Sequence, residues 1–120
     1  MRALGLAAIA ALLPALALAG EADVVGAEAY PEGENRWRFS VTVAHGDEGW
    51  DHYADQWDVV APDGTVLGTR VLLHPHETEQ PFTRSLGGVE VPAGLDRVIL
   101  RARDSVHGYG GAELEITLPR

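Results

Sequence analysis

The stretch Arg36-Trp37-Arg38-Phe39-Ser40-Val41-Thr42-Val43-Ala44-His45 decides the fold. Trp37, Phe39, Val41 and Val43 alternate with Arg36, Arg38, Ser40 and Thr42, which is the period of a strand with one dry and one wet face. His45 continues the apolar register and ends it.

The same period recurs on both sides. Residues 23–30 predict an edge strand, closed by the turn-rich Pro31-Glu32-Gly33-Glu34-Asn35. Residues 53–61 predict a third strand with Trp57 and Val59 on one face. Pro62-Asp63-Gly64 is a tight-turn signal; it leads into residues 65–73, with Leu67, Val71 and Leu73 as the expected inner face. A fifth strand covers residues 82–86 or slightly beyond, before Gly87-Gly88 and Pro92-Ala93-Gly94 break the chain. Residues 97–104 turn Val98, Leu100 and Ala102 inward and Arg101 and Arg103 outward, and residues 112–118 turn Leu114, Ile116 and Leu118 inward. Glu113 and Glu115 are expected opposite Arg101 and Arg103, as exposed pairs worth roughly 0.2–1 kcal/mol each. Seven short strands with frequent turn signals predict an all-β, single-domain antiparallel sandwich, immunoglobulin-like or fibronectin-like. A small open barrel is the alternative.

The first 19 residues read differently. Met1-Arg2 is a short basic start, residues 3–18 are an apolar run, and Ala17-Leu18-Ala19 supplies the small residues of a signal-peptidase site. Residues 1–19 are therefore expected to be a signal peptide and residues 20–120 the sandwich domain. A membrane anchor fits less well, because the apolar run is short of the ~20 residues that span a bilayer. The expected product is a soluble, monomeric periplasmic or secreted protein.

Composition narrows the chemistry. There is no cysteine, which removes disulfides, thiolate metal sites, thiol catalysis and lipid attachment. Met1 is the single methionine, so a thioether copper(I) site is excluded too. Without Arg2, residues 20–120 carry eight arginines, no lysine and 18 acidic residues, a formal charge of 8 − 18 = −10. Such a surface repels nucleic acid and anionic lipid and attracts cations.

The histidines are the candidate cation ligands. In an up-and-down strand order the second, fourth and sixth loops share one pole, and these hold His45-Gly-Asp-Glu-Gly-Trp-Asp-His52, His74-Pro75-His76 and His107-Gly-Tyr-Gly-Gly. His74 and His76 form the sharpest local motif. Residues two apart in an extended segment point the same way, and proline favours an extended predecessor. His52, His74, His76 and His107 are the expected ligands, with Asp51, Glu77 and Asp104 as orienting or auxiliary groups. His45, at the end of a core register, is read as a half-buried structural histidine. Nitrogen-rich sites with some oxygen suit zinc, copper(II) or nickel. The competing expectation is a protein- or glycan-binding module, in which Trp50, Tyr53 and Tyr109 stack on the partner. The chain lacks a Gly-x-Ser-x-Gly elbow, a His-Glu-x-x-His motif and a phosphate loop, so catalysis is not expected.

Overall fold

The computed structural model of the chain describes residues 20–120. The signal peptide expected in residues 1–19 lies outside the described residues. Seven strands follow one another: β1 (Asp23–Gly33), β2 (Arg36–Ala44), β3 (Ala54–Val60), β4 (Val66–Val71), β5 (Phe82–Glu90), β6 (Arg97–Asp104) and β7 (Leu114–Thr117). They make two antiparallel sheets, in the orders β1-β2-β5 and β4-β3-β6-β7. The all-β sandwich expected from the alternation is therefore present. No helix among the described residues is long and apolar enough to cross a membrane.

The core is where the two inner registers meet. From β2 come Trp37, Phe39, Val41 and Val43; from β3 and β6 come Trp57, Val59, Val98, Leu100 and Ala102. All are buried, and each large side chain contributes roughly 1.5–3 kcal/mol by leaving water. Both registers run into polar residues at the same end. His45 follows Val43 by two, Asp104 follows Ala102 by two, and both are fully buried. The sandwich thus closes at this pole on a histidine from one sheet facing a carboxylate from the other.

Two strands are longer than their sequence signals. β1 runs through Pro31 and Glu32 to Gly33, so the turn is only Glu34-Asn35, with Asn35 in the left-handed region at φ 59°. β5 continues through Gly87-Gly88, because the glycines make an irregularity in the β2–β5 register rather than a break. Gly88, at φ 69°, donates its N–H to Glu32 at 2.8 Å, and the same carboxylate accepts from Arg38 Nε at 2.9 Å.

Leu67 packs against the core as expected, but beyond it β4 shows its other face. Gly68 lies against Leu86 and Val89 of the opposite sheet, Arg70 reaches the Ser85 carbonyl, and Leu72 is buried. Val71 and Leu73, expected inside, are 55% and 76% exposed. The cause is a register shift at Val59/Val60, where Val59 pairs with Gly68 but Val60 with Val66. A shift of one residue exchanges the faces of a strand. The expected charge ladder also forms differently. Ile99 opposes Glu115 and Arg97 bonds it at 2.7 Å, while Arg101 and Arg103 pair with Asp58 and Asp55 of β3.

Candidate metal centre

Three loops meet at the pole where the core registers end: residues 45–53, 72–81 and 105–113. Asp47 joins the first two. One of its carboxylate oxygens accepts from the Ala54 N–H at 3.0 Å and the other from the His76 N–H at 2.7 Å. The first and third are joined by Ser105 N–H to the Tyr53 carbonyl at 2.9 Å and by Tyr53 N–H to Ser105 Oγ at 3.1 Å.

Inside this frame His45, His52 and Asp104 converge, each offering a donor atom within 4.8 Å of the others. The two imidazole Nε2 atoms are 3.2 Å apart. Asp104 Oδ2 lies 3.7 Å from His45 Nε2, and Asp104 Oδ1 lies 3.5 Å from His52 Nε2. Ligands held at ~2.0–2.1 Å around a tetrahedral zinc stand about 3.4 Å from one another. The Nε2–Nε2 distance is of that length, and each imidazole has a different Asp104 oxygen near it, so the group brackets a gap that could hold an ion.

What lies behind each ring strengthens the match. His45 Nδ1 donates to Asp47 at 2.6 Å, and His52 Nδ1 donates to Glu48 at 3.0 Å. A carboxylate accepts only, so each Nδ1 carries a proton, and each Nε2 faces the gap. A metal-bound histidine is commonly oriented in this way, by a carboxylate on its far nitrogen. A fourth group comes from the backbone, the Gly20 carbonyl oxygen, 2.9 Å from His45 Nε2. Two imidazole nitrogens, a carboxylate and a carbonyl thus surround one volume, where a proton on His45 Nε2 or another cation fits.

The titration directions describe the same demand. Burial opposes charge on His45. The Asp47 hydrogen bond and charge, with help from Asp104 and the Gly20 carbonyl, outweigh it and raise the imidazole pKa. Burial likewise opposes the Asp47 carboxylate, but bonds from His45, His76 N–H and Ala54 N–H hold its pKa below the ordinary value. Asp104 is held down against burial by the N–H groups of His107 and Val106 and by the His107 ring. A proton on His45 is one way to supply the cation; a metal ion satisfies more of the converging pairs.

The remaining sequence candidates fall into three places. His107 borders the cluster. Its Nδ1 donates to Asp104 at 3.2 Å and its ring meets the His52 ring at 5.0 Å between centroids, so it orients Asp104. His74 and His76 stand apart from the three-residue group. Their centroids are 4.7 Å apart, but His74 Nδ1 turns to the Pro75 carbonyl and His76 stacks on Phe82 at 3.9 Å. Neither nitrogen of the buried His76 ring has a hydrogen-bond partner among the described residues. Burial, with the nearby Arg84 and His74 charges, lowers the His76 pKa. Asp51 and Glu77 are exposed and outside the group.

His45 and Asp47 are the site residues that sequence reasoning undervalued. Their signal was the register itself, since a histidine two residues past Val43 on the inner face must find polar partners.

Of the aromatic candidates, Trp50 is 66% exposed and meets Tyr53 edge-on at 5.6 Å. Tyr109 is engaged instead. Its hydroxyl donates to buried Asp58 at 2.6 Å, and the Arg101 guanidinium sits 4.1 Å from its ring centre. Burial, with the Asp58 bond and charge, raises the Tyr109 pKa.

Among known proteins, the chain is similar to one from Halomicrobium mukohataei named "Putative lipoprotein", with 46% identity over 96 residues. The match covers 80% of this chain and 47% of the relative, so the chain spans about half of the relative's length. No protein-family model and no solved structure matches it.

Proposed function

We propose that the chain is an exported sandwich of the immunoglobulin-like or fibronectin-like kind that binds a divalent transition metal, zinc or copper(II), in metal trafficking, buffering or sensing. The ligands are His45, His52 and Asp104, with Asp47, Glu48 and His107 orienting them. The observation that carries this reading is the convergence of two carboxylate-backed Nε2 atoms and a buried carboxylate on one gap. The finer fold assignment is supported by the sheet orders, three strands as β1-β2-β5 and four as β4-β3-β6-β7. Export to the periplasm or the medium is supported by the leader pattern of residues 1–19 and by the relative's name. This chain has no cysteine to carry a lipid.

Elemental analysis of the exported protein, then calorimetric titration of the metal-free form with zinc and copper(II), tests the site. His52→Ala is expected to weaken binding by more than about 100-fold, since even outer partners of metal ligands cost 10–100-fold. The double variant His74→Ala/His76→Ala is expected to bind as the native protein does. Unchanged affinity in the first variant sinks the assignment; lost affinity in the second moves the site to the His-Pro-His loop.

The exposed Trp50, edge-on to Tyr53, favours a second reading, in which the loops hold an exported protein or a glycan. Protein that carries no metal on isolation and takes up none in the titration decides for it.

A further inference from the structure

We propose that the processed amino terminus is part of the metal centre, with the α-amino group of Gly20 and its own carbonyl oxygen chelating the ion held by His45, His52 and Asp104. The inference rests on the metal reading and on cleavage after Ala19.

The Gly20 carbonyl is already at the cluster, 2.9 Å from His45 Nε2. The segment behind it is clamped. Val24 N–H bonds the Ala112 carbonyl at 2.9 Å, Ala112 N–H bonds Asp23 Oδ1 at 2.7 Å, and Ala22 is fully buried. The glycines of the β6–β7 loop make room for this crossing. A Cβ on Gly111 would stand 1.9 Å from the Ala22 carbonyl oxygen, and one on Gly110 would stand 3.0 Å from Glu21 Cγ. Any side chain at Gly111 would drive the segment, and the Gly20 carbonyl with it, out of place.

Cleavage changes what Gly20 can donate. Joined to Ala19, its nitrogen is an amide whose lone pair is delocalised into the peptide bond. Freed, it is a primary amine with a pKa near 7.7–8.0. The ammonium loses its proton to solvent as the nitrogen–metal bond forms, and amine and carbonyl oxygen of one residue close a five-membered ring. The donor set then holds three nitrogens besides oxygen, which suits the tetragonal preference of copper(II) over zinc. The precursor, offering only the carbonyl, binds weakly. Processing therefore licenses metal loading.

The test compares two full-length chains exported from a bacterial host, one native and one with Ser-Ser inserted between Ala19 and Gly20. Intact mass fixes each amino terminus, and metal-free protein is titrated with copper(II) and with zinc. The native protein is expected to begin at Gly20 and to bind copper(II) at least about tenfold more tightly than the extended one, the lower end of what outer-partner loss costs. Equal affinity, or a native terminus elsewhere than Gly20, overturns the proposal and leaves the metal site standing. Binding by neither chain, to either ion, overturns both. If the insertion lowers the metal-free melting temperature, the native protein decides alone. With glycine isotopically labelled at nitrogen, the copper(II) electron–nuclear couplings are expected to change, and unchanged couplings overturn the proposal.

Discussion

Asp58 and Asp104 are buried in opposite ways. Asp58, on the outer side of β3, accepts from Arg101 Nε at 3.0 Å, Tyr109 OH at 2.6 Å, Thr69 Oγ1 at 2.8 Å and Gln56 Nε2 at 3.2 Å. A guanidinium is a permanent cation, so this site is complete from the chain alone. Asp104 accepts two backbone N–H groups and the His107 ring, and faces two further imidazoles. Among the described residues only histidines stand against it, so its counter-charge is a proton or another cation held among the imidazoles. Both carboxylates are fully buried, yet only the first has a permanent cation against it.

The largest effect is expected where the permanent cation is removed. Arg101→Ala leaves Asp58 buried and unneutralised, and denaturant unfolding is expected to show a loss of about 3 kcal/mol, the lower end for stripping a buried pair of one partner. Metal binding is expected to survive. A loss within ~0.5 kcal/mol, the usual range of surface substitutions, would mean that Asp58 does not need its guanidinium.

A somewhat smaller effect separates the sites from the other side. An ion at 100 times its Kd stabilises the native state by about 2.7 kcal/mol, seen as a rise in the melting temperature. Asp104→Asn is expected to lose that rise while keeping an acceptor for the Val106 and His107 N–H groups. A rise of native size in this variant removes Asp104 from the ligand set.

The smallest effect is the pH dependence of the metal-free protein. The His45 pKa is raised on folding, so its contribution is full below the ordinary value of 6.5 and is lost as pH climbs through the folded value. The His76 pKa is lowered, so its contribution is full above 6.5 and is lost as pH falls through its folded value. In His76→Phe, which removes the second limb, the melting temperature is expected to fall as pH rises above about 6.5. Excess zinc is expected to reverse that slope, because the ion displaces the His45 proton. A flat profile in both conditions contradicts an exchangeable counter-charge.

Most of the strands were legible because alternation is a local property. The β2 row from Trp37 to Val43 and the β6 row from Val98 to Ala102 each fix one face without reference to neighbours. β4 was misread for a non-local reason. Its faces depend on the shift opposite Val59/Val60, and an edge strand with Val66, Leu67, Val71, Leu72 and Leu73 carries apolar residues on both sides. The pole was legible as well, since the three histidine-bearing loops do meet. Which histidines converge was legible only for His52. His74 and His76 are neighbours in sequence, but Pro75 and the Phe82 stack hold their rings differently, whereas His45, His52 and Asp104 meet through two sheets. The usable signal was a polar residue continuing a core register, at His45 and again at Asp104.

The clamp between the start of β1 and the loop before β7 also dictates an order of events. Val24 and Ala112 pair across nearly the whole domain, so their contact closes one of the longest loops the fold contains, and contacts of that separation form slowly. Gly20 reaches His45 only when Gly111 is in place beneath Ala22. The pole is therefore among the last parts to assemble. On the proposed reading, an ion there seals a finished molecule and does not nucleate an unfinished one.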